Sequence, residues 1–198
     1  MIGCPGRFHE ISITTADLVA SIDFYRNLGF SVGETLPVWP HPYAVVGDGQ
    51  IFLGLHQYKF PSPSITCVAD RIDVARRSLR EAGALFAFDI DEPGRFNEFG
   101  FRDPGGTMLT VLERVTHLDI APHPSHCGTF VGFDLPTSDF AASENFWGAA
   151  RSAGGLPVIW HDSAIDPSCR LVFSGRSPAT HIAPEGTRLV VRSGDDRS

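Results

Sequence analysis

The chain has 198 residues, and its 16 Lys and Arg against 23 Asp and Glu give a net charge of −7. This acidic balance argues against a nucleic-acid partner, which needs a positively charged surface. No apolar run approaches the roughly 20 residues of a membrane span, and the N-terminus lacks a secretory signal pattern. The sequence therefore predicts a soluble, cytoplasmic protein without a nucleic-acid or membrane partner, and free thiols at Cys4, Cys67, Cys127 and Cys169.

The first predicted unit begins with a strand over residues 8–15, where apolar Ile11 and Ile13 alternate with polar residues. A helix follows, because apolar residues recur at helical spacing along one stripe: Leu18, Ile22, Tyr25 and Leu28. Three further strand candidates come next, at residues 30–36, 43–46 and 50–56. A GDG turn separates the last two as a hairpin. The order of elements in this unit is βαβββ.

The second predicted unit has the same order. Its first strand is SITCVA, and its helix presents an apolar face made of Ile72, Ala75, Leu79 and Ala82. Three closing strand candidates lie at residues 85–90, 96–102 and 107–113. A tight turn at residues 103–106, with the sequence DPGG, separates the last two strands.

A Pro- and His-rich connector at residues 116–127 precedes a third unit that repeats the first. Asp139, Ala142, Ser143, Phe146 and Trp147 each lie 122 positions after a similar residue of the first helix: Asp17, Ala20, Ser21, Phe24 and Tyr25. Residues 188–192 have the pattern of the opening strand of a fourth unit. These patterns predict a complete two-unit domain at 1–115, a linker at 116–127, and a partial domain at 128–198.

Paired βαβββ units of this kind resemble the vicinal oxygen chelate superfamily, which includes glyoxalase I, bleomycin-resistance proteins and extradiol dioxygenases. The segments HEISITTADLVASIDFYRNLGF and FGFRDPGGTMLTVLE carry the resemblance, which covers residues 7–114 well and 128–192 loosely. It implies an α+β fold of paired βαβββ units enclosing a cavity, here as one complete two-unit domain plus a partial second domain. It also implies that chemistry, where present, takes place on a divalent metal ion in that cavity.

The resemblance places four metal-ligand positions on the first and last strands of the two units, at Glu10, Gly54, Ser64 and Thr110. Among these four residues, only Glu10 has a side chain that commonly binds divalent metal ions. The position of the third unit that corresponds to Glu10 is Gly132. Because side chains alternate along a strand, His9 is expected on the face opposite Glu10. The sequence therefore predicts a degenerate metal site. No cofactor is assigned, and a divalent metal ion held by Glu10 and His56 remains an open alternative.

The candidate catalytic residues are Glu10 and His56. A carboxylate in an apolar cavity has a raised pKa, and an imidazole titrates near neutral pH, although each residue type also fills structural roles. Alternation places Glu98 on one strand face and Asn97 with Phe99 on the other, so either Asn97 or Glu98 supplies a polar group to the cavity. The candidate ligand-binding residues are aromatic or polar groups around the expected cavity: Trp39, His41, Tyr43, Asn97, Glu98, Phe99 and Thr110.

The leading functional prediction is a small-molecule binding or sequestration protein of the glyoxalase and bleomycin-resistance type, with an aromatic cavity for an aromatic ligand. The alternative is an enzyme, either a metal-dependent lyase, isomerase or dioxygenase of the same superfamily or one that uses Glu10 as a base. A third alternative is a partner-binding module that assembles through residues 128–198.

Two further expectations concern the connector and the assembly. The connector residues His117, His123, His126 and Cys127 do not have the spacing of a metal site. Because the third predicted unit lacks its mate, its sheet edge and face would be exposed. The pattern therefore predicts a homodimer, or a chain cut from a longer four-unit protein.

Overall fold

Two β-sheets and three helices are present in the described part of the chain, residues 5–152 and 155–194 of a computed structural model. The first half contains β1 (Arg7–Thr14), α1 (Leu18–Asn27), β2 (Ser31–Val32), β3 (Tyr43–Gly47), β4 (Phe52–His56), β5 (Ser64–Val68), α2 (Ile72–Glu81), β6 (Phe86–Ile90), β7 (Glu98–Arg102) and β8 (Met108–Leu112). The second half contains β9 (Thr129–Thr137), α3 (Phe140–Ser152), β10 (Val158–Asp162), β11 (Arg170–Gly175), β12 (Ala179–Ile182) and β13 (Arg188–Ser193). None of the described helices is long and apolar enough to cross a membrane.

The first sheet has eight strands in the order β2-β3-β4-β1-β5-β8-β7-β6. β1 runs parallel to β4 and antiparallel to β5, and β5 runs parallel to β8. Each unit therefore contributes four strands, and the opening strands of the two units are neighbours at the centre. Ile11 and Ile13 pack into the core with Tyr25 of α1. Ser12 lies on the opposite face, as strand alternation requires, and the predicted α+β fold of paired βαβββ units is confirmed.

The second sheet has five strands in the order β10-β9-β11-β13-β12. β9 runs parallel to β10 and antiparallel to β11, and β11 runs parallel to β13. These pairings reproduce the arrangement β4-β1-β5-β8-β7 of the first sheet. The second half is therefore two shortened units, β9-α3-β10 and β11-β12-β13.

This topology corrects the predicted third and fourth units. The third unit has one strand after its helix instead of three, and β13 closes the fourth unit instead of opening it. Residue pattern identifies a strand, but the pairing partner decides whether that strand opens or closes a unit. The boundaries at residues 115 and 128 remain predictions.

The turns that precede β8 and β13 support this assignment. Residues 103–107 (DPGGT) and 183–187 (APEGT) lie 80 positions apart. In each turn the fourth residue, Gly106 or Gly186, donates its backbone N–H to the first residue's carbonyl, at 3.0 and 2.8 Å. Both glycines have φ near +90°, which residues with a Cβ rarely adopt. The second and fourth units therefore end in equivalent turns.

The two halves are joined by reciprocal contacts between the helix of one half and the turn of the other. On α1, the hydroxyls of Tyr25 and Ser21 each donate to a carboxylate oxygen of Glu185, at 2.7 Å. On α3, the Nε1–H of Trp147 donates to Oδ2 of Asp103, at 3.1 Å. Tyr25 and Trp147 are equivalent in the repeat, and Glu185 and Asp103 lie in the equivalent turns. The halves thus pack with an approximate two-fold relation.

The connector at residues 116–127 packs against the first half and is not an extended tether. Leu36 donates its backbone N–H to the carbonyl of Thr116 at 2.8 Å, and Leu118 donates to Glu34 at 2.9 Å. The hydroxyl of Ser125 donates to Oδ2 of Asp48 at 2.8 Å. Prolines restrict the backbone of this segment, but several of its amides and carbonyls pair with the first half.

The prediction of four free thiols is wrong for Cys67, which is disulfide-bonded. Cys127 and Cys169 are free, and Cys4 lies outside the described residues. Sequence spacing could not identify the disulfide, because bond formation depends on the distance and orientation of two side chains in the folded chain.

Candidate functional site

A cavity of about 430 Å³ lies on one face of the first sheet. This volume is in the range of small-molecule sites, roughly 300–1,000 Å³. Hydroxyl groups on the central strands form part of its lining: Ser12, Thr66 and Thr110. Aromatic rings form another part: Trp39, His41, His56, Tyr58, Phe60 and Phe88. A second cavity of about 440 Å³ lies between the two halves, where Ile11 and Phe133 are among its lining residues.

Two hydroxyl pairs occupy the central strands beneath the first cavity. Ser12 and Thr66 are hydrogen-bonded at 2.6 Å between their side-chain oxygens, and Ser64 and Thr110 at 2.8 Å. Ser64 and Thr110 are the positions at which the resemblance expects metal ligands. Neutral hydroxyls that already bond to each other are poor substitutes for imidazole or carboxylate ligands.

Gly54 gives a second test of the superfamily metal site. A Cβ at this position would lie 2.1 Å from Oε1 of Glu10. The carboxylate of Glu10 therefore occupies the space that a ligand side chain from β4 would need. A metal ion held by Glu10, residue 54, Ser64 and Thr110 does not fit these residues.

Glu10 is fully buried behind the cavity lining. Its Oε1 accepts a hydrogen bond from Ser12 at 2.8 Å, and its Oε2 accepts one from Tyr43 at 2.6 Å. Burial opposes ionisation, but the proximity of His56, with smaller contributions from His9 and Tyr43, lowers the pKa of Glu10 to about 2. The sequence expectation of a raised pKa depended on an apolar cavity, and that condition is not met because Ser12, Tyr43 and His56 surround the carboxylate.

His56 connects Glu10 to the cavity. Its Nε2 lies 3.5 Å from Oε1 of Glu10, and its Nδ1 lies 3.0 Å from Nε2 of His41. The His41 ring stacks on Tyr58, with ring centroids 4.8 Å apart. Burial and the nearby charge of His56 lower the pKa of His41 to about 4. A chain of contacts therefore runs from the cavity lining to the buried carboxylate.

Trp39 lies in the loop between β2 and β3 and organises the aromatic side of the cavity. Its ring contacts His56 and Phe96 edge-on, with centroids 4.9 and 5.5 Å apart. Its Nε1–H donates to Oε1 of Glu98 at 3.4 Å. Burial raises the pKa of Glu98, and the hydrogen bond from Trp39 opposes that shift. The neutral form of this carboxyl therefore persists to higher pH than that of an exposed glutamate.

The predicted site residues fall into two groups. Five of them line the cavity: Trp39, His41, His56, Glu98 and Thr110. Glu10 and Tyr43 lie behind it. Asn97 donates its amide to Oε2 of Glu113, and Phe99 is fully buried and stacks on Phe86, so both lie away from the cavity. Alternation correctly separates Asn97 and Phe99 from Glu98, but it cannot tell which of the two faces is turned to the cavity.

Sequence reasoning missed the contact of His9 and His117 with Glu10. One ligand atom from each of the three residues lies within 4.8 Å of the others. The pairing of β1 with β5 shifts register between Phe8 and Glu10, so simple alternation, which set His9 opposite Glu10, does not describe this segment. His117 comes from the connector, and no spacing signal relates residues so far apart. The adjacent His9-Glu10 pair is the available sequence signal.

The corresponding face of the second sheet holds an ion-pair network. Asp134 of β9 is buried, and its carboxylate lies 2.8 Å from Nδ1 of His161 and 3.0 Å from the guanidinium of Arg170. Nε2 of His161 lies 2.8 Å from the carbonyl of Asp166. His161 is thus held between a carboxylate and a carbonyl oxygen. Together with the absent side chain at Gly132, this arrangement offers no superfamily-type ligand set among these residues.

The structure is similar to those of extradiol dioxygenases. Catechol 2,3-dioxygenase aligns with a TM-score of 0.60 at 13% identity, over 96% of this chain and 89% of that chain. Homoprotocatechuate 2,3-dioxygenase from Brevibacterium fuscum, in complex with 3,4-dihydroxyphenylacetate, aligns with a TM-score of 0.62 at 13% identity, over 100% and 85%. The Arthrobacter globiformis enzyme aligns with a TM-score of 0.59 at 14% identity, over 99% and 84%. At these identities the similarity shows a shared fold.

No protein-family model and no curated protein matches this sequence. These dioxygenase structures align with both halves of this chain. Their alignment agrees with a second sheet, β9 to β13, that repeats the arrangement of the first. The fold is therefore the paired βαβββ arrangement of the extradiol dioxygenases, with a shortened second half.

Proposed function

We propose that this protein binds a flat aromatic small molecule in the cavity of the first sheet, as sequestration proteins of the glyoxalase and bleomycin-resistance type do. The observation that carries the proposal is the composition of the cavity lining. Aromatic rings face buried hydroxyls and a carboxyl group across about 430 Å³, while the superfamily metal positions hold Gly54, Ser64 and Thr110.

The lining favours a ligand with one apolar face and hydrogen-bonding groups at its rim. Trp39 and Tyr58 offer ring surfaces for stacking or edge contacts. The carboxyl group of Glu98 lines the cavity and can accept a hydrogen bond from a hydroxyl group of the ligand. Lys59 and Arg95 also line the cavity and favour a ligand with a negative or electron-rich edge.

Ligand binding is tested by thermal-shift and calorimetric titration with planar phenols, quinones and aromatic antibiotics. A true ligand stabilises the folded protein in a saturable manner. Trp39→Ala is expected to weaken binding by about tenfold or more, since an aromatic contact contributes roughly 0.5–1.5 kcal/mol beyond its buried area. Glu98→Ala is expected to weaken binding of ligands with a hydrogen-bonding rim.

Phe140→Ala is the matched control, because it removes a half-exposed aromatic side chain from the second half, away from the cavity. It is expected to leave the affinity unchanged. If every ligand bound Trp39→Ala and Glu98→Ala as tightly as the unmodified protein, the cavity would not be the binding site.

The second candidate function is an enzyme of the same superfamily, either metal-dependent or using Glu10 as a base. Its supporting observations are the dioxygenase-like fold and the contact of cavity-lining His56 with Glu10. The test is oxygen consumption by the protein supplied with Fe²⁺ and either catechol or 3,4-dihydroxyphenylacetate. Turnover that His56→Ala abolishes would favour the enzyme. Saturable binding without turnover would favour sequestration.

A further inference from the structure

A buried cluster next to the cavity brings together two imidazole rings and one carboxylate: His9, Glu10 and His117. One ligand atom from each lies within 4.8 Å of the others, and all three side chains are buried. Cavity-lining Ser12 and His56 both contact the carboxylate, so the cluster lies behind the lining. Apart from Glu10, the cluster uses none of the positions that the resemblance assigns to a metal.

The hydrogen bonds of His117 leave one of its two ring nitrogens without a partner among the described residues. Its Nδ1 lies 2.9 Å from the carbonyl of Leu118, and a carbonyl only accepts, so Nδ1 carries a proton. The Nε2 of a neutral ring then has a lone pair, which lies 3.7 Å from Oε2 of Glu10. Among the described residues this Nε2 has no hydrogen-bond partner. A cation between these two buried atoms, either a proton or a metal ion, would satisfy both of them.

His9 is held as an unprotonated acceptor on the other side of the cluster. The backbone N–H of Thr116 donates to its Nε2 at 3.2 Å, and the Thr116 hydroxyl lies 2.9 Å from the same atom. The rings of His9 and His117 are stacked, with centroids 4.2 Å apart and planes 13° apart. Parallel rings do not direct their lone pairs at one point, so a shared ion requires one ring to rotate. Rotation of His117 frees no partner of Nε2 but gives up the contact of Nδ1 with the Leu118 carbonyl, and ligation by Nε2 of His9 displaces the amide of Thr116.

We propose that His9, Glu10 and His117 bind one divalent transition-metal ion that joins β1 to the connector. Imidazole nitrogens with one carboxylate favour Zn²⁺ and similar ions over Ca²⁺ or Mg²⁺, which take oxygen ligands. Three protein ligands leave one position of a tetrahedral ion for a water molecule, and the burial of all three side chains restricts access by larger molecules. The ion would fix residues 116–118 against the first strand.

Zn²⁺ binding by the chelator-treated full-length protein, measured by isothermal titration calorimetry, tests this proposal. One Zn²⁺ per chain is expected, together with a higher melting temperature. His117→Ala and His9→Ala are each expected to weaken binding by at least roughly tenfold, since loss of an outer partner alone costs 10- to 100-fold. His123→Ala, in an exposed histidine of the same connector, is the matched control and should bind like the unmodified protein.

A second measurement does not depend on the folding of any variant. Zn²⁺ should shift the ring nitrogen signals of His9 and His117 in ¹H–¹⁵N NMR spectra, while those of exposed His123 and His126 stay unchanged. The proposal is overturned if Zn²⁺ does not bind, or if it binds without moving the His9 and His117 signals. In that case His117 is an imidazolium that pairs with Glu10 through a proton.

The result is independent of ligand binding in the cavity. Trp39→Ala should leave Zn²⁺ affinity unchanged while weakening the aromatic ligand. His117→Ala should weaken Zn²⁺ without removing the ring surfaces that line the cavity. Failure of one proposal can therefore be separated from failure of the other.

Discussion

Tyr43 donates a hydrogen bond to one oxygen of the buried Glu10 carboxylate. Its hydroxyl donates to Oε2 of Glu10 and lies 3.0 Å from the hydroxyl of Thr116. Tyr43→Phe is expected to lower the free energy of unfolding by about 1–3 kcal/mol, because a buried charged acceptor loses a donor. Urea denaturation measures the change. Tyr58→Phe, at an exposed tyrosine, is the control and should have little effect.

Glu98 should make the free energy of unfolding decrease as pH rises above the ordinary pKa of a glutamate. Burial raises the pKa of Glu98 above its ordinary value of 4.5. Because the pKa of Glu98 is raised in the folded state, its favourable contribution to the free energy of unfolding is present below pH 4.5. That contribution is lost as pH rises through the folded-state pKa. The free energy of unfolding of Glu98→Gln should therefore rise relative to the unmodified protein between pH 4.5 and neutral pH.

Urea denaturation at several pH values measures this difference for Glu98→Gln. The exposed Glu81→Gln variant is the control and should follow the unmodified protein at every pH. Parallel pH profiles of Glu98→Gln and the unmodified protein would contradict a shifted carboxyl at position 98.

At the scale of elements, the repeat predicted from sequence is visible in the first turns of α1 and α3. Asp17 accepts the backbone N–H of Ala20 at 3.0 Å, and Asp139 accepts that of Ala142 at 2.9 Å. Each helix also has a threonine–serine hydroxyl contact spanning six residues, Thr15 to Ser21 and Thr137 to Ser143. The two helices therefore begin in the same way, as the matched residues predicted.

Removing this cap should destabilise the chain. Asp17→Ala is expected to cost about 0.5–2 kcal/mol of unfolding free energy, because the amide at the start of α1 loses its acceptor. Chemical denaturation gives the value. Asp23→Ala removes an exposed carboxylate from the same helix, whose ion pair with Arg26 spans 3.8 Å, and should cost much less. Equal losses in both variants would show that the cap contributes nothing specific.

At the scale of the whole molecule, the two halves share one core cluster. Ring contacts cross between them, with centroids of Phe30 and Phe173 6.4 Å apart and those of Phe101 and Phe146 6.3 Å apart. The reciprocal hydrogen bonds of Tyr25 and Trp147 reinforce this packing. Neither half keeps its full core without the other, so the chain should unfold as one unit.

A single cooperative transition is therefore expected in urea, with coincident curves from far-UV circular dichroism and tryptophan fluorescence. Tyr25→Phe removes one donor to Glu185 and should shift both curves together by about 1–3 kcal/mol. Two separated transitions, or a shift confined to one signal, would show that the halves unfold independently.

The homodimer prediction loses its original physical basis at this scale. It assumed a third unit without a mate, whereas β11 pairs with β9 as β5 pairs with β1. The homodimer remains a prediction, and light scattering in solution would measure the assembly.

Much of the fold follows from local sequence pattern. The period of apolar residues gives the strands and helices of the first half, and the spacing between Asp17 and Asp139 gives the repeat. The shortened units were missed because β11 and β13 are defined by their pairing partners. Trp39, His41, His56, Glu98 and Thr110 were predicted and do line the cavity, since alternation and aromatic content are local signals.

Local sequence was sufficient for the periodicity, the turns and the residue types available to the cavity, because these depend on neighbours a few positions apart. Tertiary structure decided which strand face meets the cavity and why Glu10 is ionised despite its burial. It also decided that His117 meets His9, 108 positions earlier in the chain. Each of these outcomes depends on contacts between distant residues, and a β-bulge or a pairing change alters them without changing the local pattern.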